Sequence, residues 1–174
     1  AQLEAAMLKL RESEDCYRDL VENSRDLICT HDLEGKLLSV NPAAVRLTGY
    51  SRDALLRMNL ADLLTRGARD GFAAYLGEIR TKGTARGLMH IRTADGKTRW
   101  WEYHNTLRIE GVAAPVVRGM AQDITERKRA EAELRARELR YKAVTTSATD
   151  AFVTSDAAGR IVDWNPSAER LFGY

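Results

Sequence analysis

Residues 38–50 read LSVNPAAVRLTGY and residues 162–174 read VDWNPSAERLFGY. They are the densest part of a longer match. At a constant offset of 124, Tyr17–Tyr50 and Tyr141–Tyr174 agree at twelve of 34 positions without a gap, among them Asp26, Asp32, Gly35, Asn41, Pro42, Gly49 and Tyr50. A gapless match of this length marks two copies of one unit. The period is too long for a solenoid and suits small domains in series.

The matched residues have physical reasons. Asp26–Asp32 reads as a short strand, and Gly35 supplies the positive φ of a tight hairpin. KLLSV is the return strand. Asn41 caps a helix whose first residue, Pro42, needs no N–H and has its φ preset. Gly49 ends that helix in a left-handed cap. Each copy therefore opens strand, turn, strand, short capped helix.

The rest of the first copy follows from spacing. Ser51 is a second N-cap, and NLADLL a short helical piece. Phe72, Leu76 and Ile79 recur at helical spacing, predicting one amphipathic helix from Ala68 to Arg80. TKGTARG breaks it. LMHIRT leads to Asp95–Gly96, which reads as a two-residue hairpin turn. TRWWEYHNTLRI and APVVRGMAQDI complete a three-strand antiparallel meander. The fold class is α+β, with helices over one face of the sheet.

Both flanks are helical. Residues 1–24 carry Leu3, Met7, Leu10, Tyr17 and Val21 near a heptad seam. Residues 125–145 are dense in helix formers, and at 1.5 Å per residue they span about 30 Å. The first flank holds six acids against three bases, and residues 125–142 hold seven bases against four acids. These charges read as solvated faces. The chain divides into a linker helix at 1–24, a unit at 25–124, a helical linker at 125–146 and the opening third of a second unit at 147–174. Lacking the later helix and strands, residues 147–174 are expected to pack poorly alone.

Bulk properties exclude several function classes. The 174 residues are 44% hydrophobic and 30% charged, ordinary for a globular protein, and the net charge of +2 gives no case for nucleic acid. No apolar run exceeds VAAPVV, far below the ~20 residues of a membrane span. The cysteines, Cys16 and Cys29, form no C-x-x-C and suit a reducing, cytoplasmic setting. No metalloprotease, P-loop or nucleophile-elbow motif is present, so no catalytic residue is assigned. His31, His90 and His104 fall on three different strands without metal-ligand spacing.

Three stretches together resemble a known family. YRDLVENSRDLICTHDLEGKLLSVNPAAVRLTGYSRDALL (17–56) resembles the opening of a PAS domain of bacterial sensor proteins. ADGKTRWWEYHNTLRI (94–109) and GVAAPVVRGMAQDITERKRAEAEL (111–134) resemble its C-terminal, or PAC, half. The resemblance covers one complete PAS domain and the start of another. It implies a five-stranded antiparallel sheet in the order 2-1-5-4-3, with any ligand held between sheet and helices. It also implies homodimers through the flanking helices and a downstream effector domain in the parent chain, most often a histidine kinase, sometimes a diguanylate cyclase or phosphodiesterase.

The family's cofactors can be tested residue by residue. Haem sensors place a histidine on the long helix, where this chain has Arg69, which cannot ligate iron. Flavin photoreceptors form their adduct on a cysteine before that helix, and neither Cys16 nor Cys29 lies there. Haem and covalent flavin are disfavoured. Non-covalent FAD or a small metabolite stays open.

The strand RWWEYHNTL leaves two readings open. Side chains alternate, and burial puts Trp101, Tyr103 and Leu107 on the core. The family alignment instead turns Glu102, His104 and Thr106 toward the helices, leaving Trp101 and Tyr103 for the N-terminal helix or a dimer partner to cover. On that second reading the pocket is lined by Ile28, Val45, Phe72, Leu76, Glu102, His104, Thr106, Val117, Gly119 and Ala121. Its polar wall would suit a carboxylate or small polar metabolite. Asp123 and Thr125, where the last strand meets the second linker, are the expected signal relay. The expected function is a sensory and dimerisation module of a bacterial signalling protein, a histidine kinase foremost. A ligand-free structural dimerisation module and the sensor region of a cyclase or phosphodiesterase are the alternatives.

Overall fold

A computed structural model describes residues 2–173. Ala1 and Tyr174, the counterpart of Tyr50, lie outside the described residues. The chain forms two compact units, Ala1–Thr125 and Glu126–Tyr174.

The first unit begins with α1 (Gln2–Glu22), which buries none of its residues. β1 (Leu27–His31) and β2 (Leu37–Val40) follow. Next come four short helices, α2 (Pro42–Thr48), α3 (Arg52–Leu55), α4 (Leu60–Leu63) and α5 (Arg66–Arg69), and the longer α6 (Phe72–Lys82). β3 (Thr84–Arg92), β4 (Thr98–Arg108) and β5 (Val116–Asp123) close the unit. The sheet order is β2-β1-β5-β4-β3, with every pairing antiparallel. This is the α+β arrangement and the strand order expected.

Local chemistry explains the elements. Asn41 caps α2 through the Ala44 N–H at 3.1 Å, Pro42 opens it, and Gly49 closes it at φ 76°. In α6, Tyr75 and Ile79 are one turn apart and buried. Gly83 ends that helix at φ 73°, and its carbonyl accepts from Leu107 N–H at 2.7 Å, tying the helix end to β4. Leu55, Leu63, Ile79, Ile91, Trp101 and Val117 are almost fully buried between the helices and one sheet face. Each aliphatic side chain so buried stabilises the fold by about 1.5–3 kcal/mol.

Three expectations are corrected. The single helix over 68–80 is two, α5 and α6, because the chain turns at Asp70–Gly71 before Phe72. TKGTARG is not all break, since β3 starts at Thr84. The Asp95–Gly96 turn is a three-residue loop: Thr93 N–H donates to Lys97 at 2.9 Å, enclosing Ala94, Asp95 and Gly96. Gly96 at φ 80° supplies the left-handed position such a loop needs. The turn at Asp32–Lys36 is built the same way, with Gly35 at φ 90°.

The second unit contains most of α7 (Thr125–Ser147), then β6 (Val153–Ser155), β7 (Ile161–Trp164) and α8 (Pro166–Phe172). β6 and β7 pair in a separate two-stranded sheet. The Asp156–Arg160 turn repeats the three-residue loop, and Asn165 repeats the Asn41 cap. Along residues 148–173 only Asn165, Ser167 and Ala168 are buried.

Candidate functional site

β4 decides which side chains face the helices. Its burial alternates so that Trp101, Tyr103 and Asn105 point inward. Glu102 and His104 are exposed on the opposite face, beside a surface groove of about 530 Å³ with Arg86 and Gln122. Thr106, half-buried, shares their side of the alternation. The family alignment's placement of Glu102, His104 and Thr106 in the pocket is thus corrected. Turning this strand over would bury Glu102 and His104, so the parity that buries Trp101 and Tyr103 is the lower-energy choice even though it leaves Trp100 38% exposed. Ile28 is corrected for the same reason of parity: Leu27, Cys29 and His31 are the buried residues of β1.

Between the sheet and the helices lies a cavity of about 20 Å³, room for a single water. Gly119 and Ala121 line it, together with Cys29, Trp101, Tyr103, Asn105 and leucines of α3 and α4. Val117 is fully buried on the same face of β5. Val45 and Leu76 are half-buried against the core. Phe72 lines a neighbouring cleft of about 320 Å³ with Gly67, Ala68 and Gly71. Leu60, Met89 and Tyr103 belong to both the cleft and the inner cavity, so they form the wall between them.

Gly119 is flanked in the sheet by Cys29 on one side and Asn105 on the other. A Cβ there would stand 3.1 Å from both Asn105 Oδ1 and Cys29 Sγ. The glycine keeps these two polar groups in the wall. Burial pushes the Cys29 thiol up to about 12, so it is a neutral thiol. None of the cavity-lining residues is charged.

A buried polar chain missed at the sequence level crosses this core. The His31 Nδ1 sits 2.6 Å from the carbonyl oxygen of Asp32, which only accepts, so Nδ1 carries the proton. Nε2 then accepts from the Tyr75 hydroxyl at 2.7 Å. That hydroxyl oxygen accepts from Asn105 Nδ2 at 2.6 Å. Every direction is fixed by donor and acceptor chemistry. Burial lowers the His31 pKa, against the Asp32 carbonyl and carboxylate, which favour the cation. Burial raises that of Tyr75. The chain is therefore neutral throughout. His31 was legible as a strand residue. Its partners on α6 and β4, 44 and 74 residues away, were not.

Trp101 is 1% exposed, and its Nε1–H is the one buried side-chain polar atom among the described residues with no hydrogen-bond partner. Among the described residues no three His, Cys, Asp or Glu side chains are placed to share a metal ion. Arg69 closes α5 with its side chain exposed, and Cys16 is exposed on α1.

The strand-to-helix junction brings the two expected relay residues together. Asp123 Oδ1 accepts from the Thr125 N–H at 2.9 Å and from its hydroxyl at 2.5 Å. Asp123 Oδ2 accepts from Arg99 at 2.6 Å. The Thr125 oxygen in turn accepts from the Trp100 N–H at 3.0 Å. Burial pushes the Asp123 carboxyl up, but the Thr125 and Arg99 hydrogen bonds outweigh it and hold the group below the usual carboxylate range. The first residue of α7 is thus fastened to β4 as well as to β5.

Compared with known families, residues 16–124 match the PAS fold and residues 139–174 match a PAS domain. The chain belongs to the PAS family. Its PAS fold is shared with a crystallised domain of a sensory box sensor histidine kinase/response regulator from Geobacter sulfurreducens. That domain is 32% identical, covers 66% of this chain and 96% of its own, and superposes with a TM-score of 0.57. A PAS domain from a two-component sensor histidine kinase, 24% identical, covers 65% of this chain and 97% of its own, with a TM-score of 0.56. Sporulation kinase E of Bacillus subtilis (strain 168) is 26% identical over 167 residues, 95% of this chain but 22% of the kinase. Sensor histidine kinase TmoS of Ectopseudomonas mendocina is 28% identical over 151 residues, 85% of this chain and 16% of the kinase. The chain spans about a fifth of these relatives' length. No helix among the described residues is long and apolar enough to cross a membrane.

Proposed function

We propose that this chain is the sensory and relay segment of a cytoplasmic sensor histidine kinase, working as a homodimer. The single observation that carries the reading is the junction at Asp123–Thr125. Two strands of the sheet hold the first residue of α7 by side-chain hydrogen bonds, so a shift of β5 against β4 changes the direction in which that helix leaves. The relationship to two histidine kinases supports a kinase as the downstream effector.

The signal on this reading is a small uncharged metabolite in the inner cavity. Its uncharged lining disfavours an ion, since burying an unpaired charge there costs far more than apolar contacts return. The unpartnered Trp101 N–H calls for an occupant with one hydrogen-bond acceptor. At about 20 Å³ the cavity must widen toward the Phe72 cleft to admit anything larger than water. FAD would require a far larger opening.

Asp123→Ala in the parent protein tests the reading. Autophosphorylation should stop responding to stimulus while the purified chain keeps its circular dichroism and melting temperature within a few degrees. Normal signalling by a folded variant would sink the relay. Native mass spectrometry of the purified wild-type chain then tests the ligand, expected as a small-molecule adduct lost in Gly119→Val, which fills the cavity. The second reading, a ligand-free dimerisation module, rests on the exposed Leu3, Met7, Leu10 and Tyr17 of α1. It is favoured if no adduct is seen and the chain is a stable dimer.

A further inference from the structure

Asn41 and Asn165 make contacts that helix capping does not require. Asn41 Oδ1 accepts the cap bond from Ala44 N–H at 3.1 Å and a second bond from Ile28 N–H in β1 at 3.0 Å. Its amide nitrogen donates to the carbonyl of Val21, in the last turn of α1, and to that of Asp26, both at 3.0 Å. Its backbone N–H donates to the Ile28 carbonyl at 2.9 Å. The residue is 4% exposed.

Asn165 repeats the whole set in the second unit. Its Oδ1 accepts from Ala168 and Phe152, both at 2.9 Å. Its amide donates to Thr145, in the last turn of α7, at 2.8 Å, and to Asp150 at 2.9 Å. Its N–H donates to the Phe152 carbonyl at 3.0 Å. Each partner lies 124 residues from its counterpart. Ser, Thr or Asp would cap either helix as well. What those residues lack is an amide that accepts on one side and donates twice on the other.

We propose that this asparagine is an input joint, a positioning residue that fastens the end of the preceding helix to the first strand of its unit. In the first unit the connection continues to the output. Ile28 pairs with Met120 across β1–β5, three residues before Asp123. The Val21 carbonyl, Asn41 and Ile28 are joined by direct hydrogen bonds; both backbone groups of Ile28 turn to Asn41, so the connection to Asp123–Thr125 continues through the neighbouring β1–β5 register pairs and along β5. In the second unit the corresponding amide of Asn165 holds the far end of α7 at the Thr145 carbonyl. A movement of an upstream helix is thereby delivered to the sheet without any ligand in the cavity. The joint itself stands apart from the sensory reading; only its use in signalling rests on the Asp123–Thr125 relay.

Asn41→Asp, studied at pH 8, keeps the size and both acceptor contacts but removes both donors. Asn41→Ser keeps the cap and is too short to reach Val21. In hydrogen exchange of the 174-residue chain, both variants should speed the Glu22 and Asn23 amides by about ten-fold. The α2 amides from Ala44 to Leu47 should change by less than about two-fold. Asn165→Asp should do the same to residues 146–148 and spare α8. Arg18→Pro, which breaks the last turns of α1, should speed the Ile28 and Met120 amides in the Asn41 protein and add nothing in the Asn41→Asp background. An unchanged α1 end, equal acceleration of α2, or an Arg18→Pro effect independent of residue 41 would each overturn the input joint. Asp123→Ala would still report separately on the output relay.

Discussion

The neutral state of His31 has a consequence for pH. Its ring is fully buried and its pKa lies below the ordinary 6.5, so the unfolded chain binds a proton there that the folded chain refuses. Stability should therefore be constant above about pH 6.5 and fall below it, by up to about 1.4 kcal/mol per pH unit, until the native pKa is reached. Denaturant titrations from pH 7.5 to 5.5 should show this slope in the wild type and lose it in His31→Gln. Protonation would also leave the Tyr75 hydroxyl facing two donors with no acceptor for its own proton. Tyr75→Phe strands Nε2 of His31 and the amide of Asn105 and should cost about 1–3 kcal/mol, read as a lower urea midpoint at unchanged slope. Gly35 is a different kind of residue constraint. At φ 90°, an added Cβ would meet Phe72 Cζ at 2.5 Å, so Gly35→Ala should destabilise by about 1–3 kcal/mol. The glycine's turn was legible in its repeat. Its contact with α6 was not, because Phe72 is 37 residues away in sequence.

At the scale of elements, the β5–α7 junction is the part most open to test. Thr125→Val keeps the shape but removes the acceptor for Trp100 N–H and one donor to Asp123. The first turn of α7 should then exchange its amides faster, by about ten-fold, while β1–β2 hold their rates. Asp123 and Thr125 were named from sequence because the end of the last strand and the start of the dense run of helix formers are marked locally. The break between α5 and α6 was not, since Phe72, Leu76 and Ile79 keep helical spacing whether or not a turn precedes them. The inward face of β4 was left between two readings. Alternation specifies the parity but not which parity meets the helices, and residues of α6 and β1 settle it by bonding Asn105 and His31 through Tyr75.

For the molecule as a whole, the exposed apolar side chains of α1 set the assembly prediction. Leu3, Met7 and Leu10 are each more than half exposed, and the helix buries none of its residues. On the proposed homodimer reading, replacing all three with Ser should leave a monomer by sedimentation, while the melting temperature of the first unit moves little. The two capped openings, the Gly35 hairpin with its repeat and the α+β class belonged to the sequence, because each rests on local backbone chemistry or on a motif repeated at a fixed offset; the strand order came with the family resemblance. The His31–Tyr75–Asn105 chain, the orphaned Trp101 N–H, the apolar character of the cavity and the four-way grip of Asn41 belonged to the tertiary structure. Each joins residues from different elements, and a hydrogen bond's direction and reach depend on a spatial approach that a linear spacing does not encode.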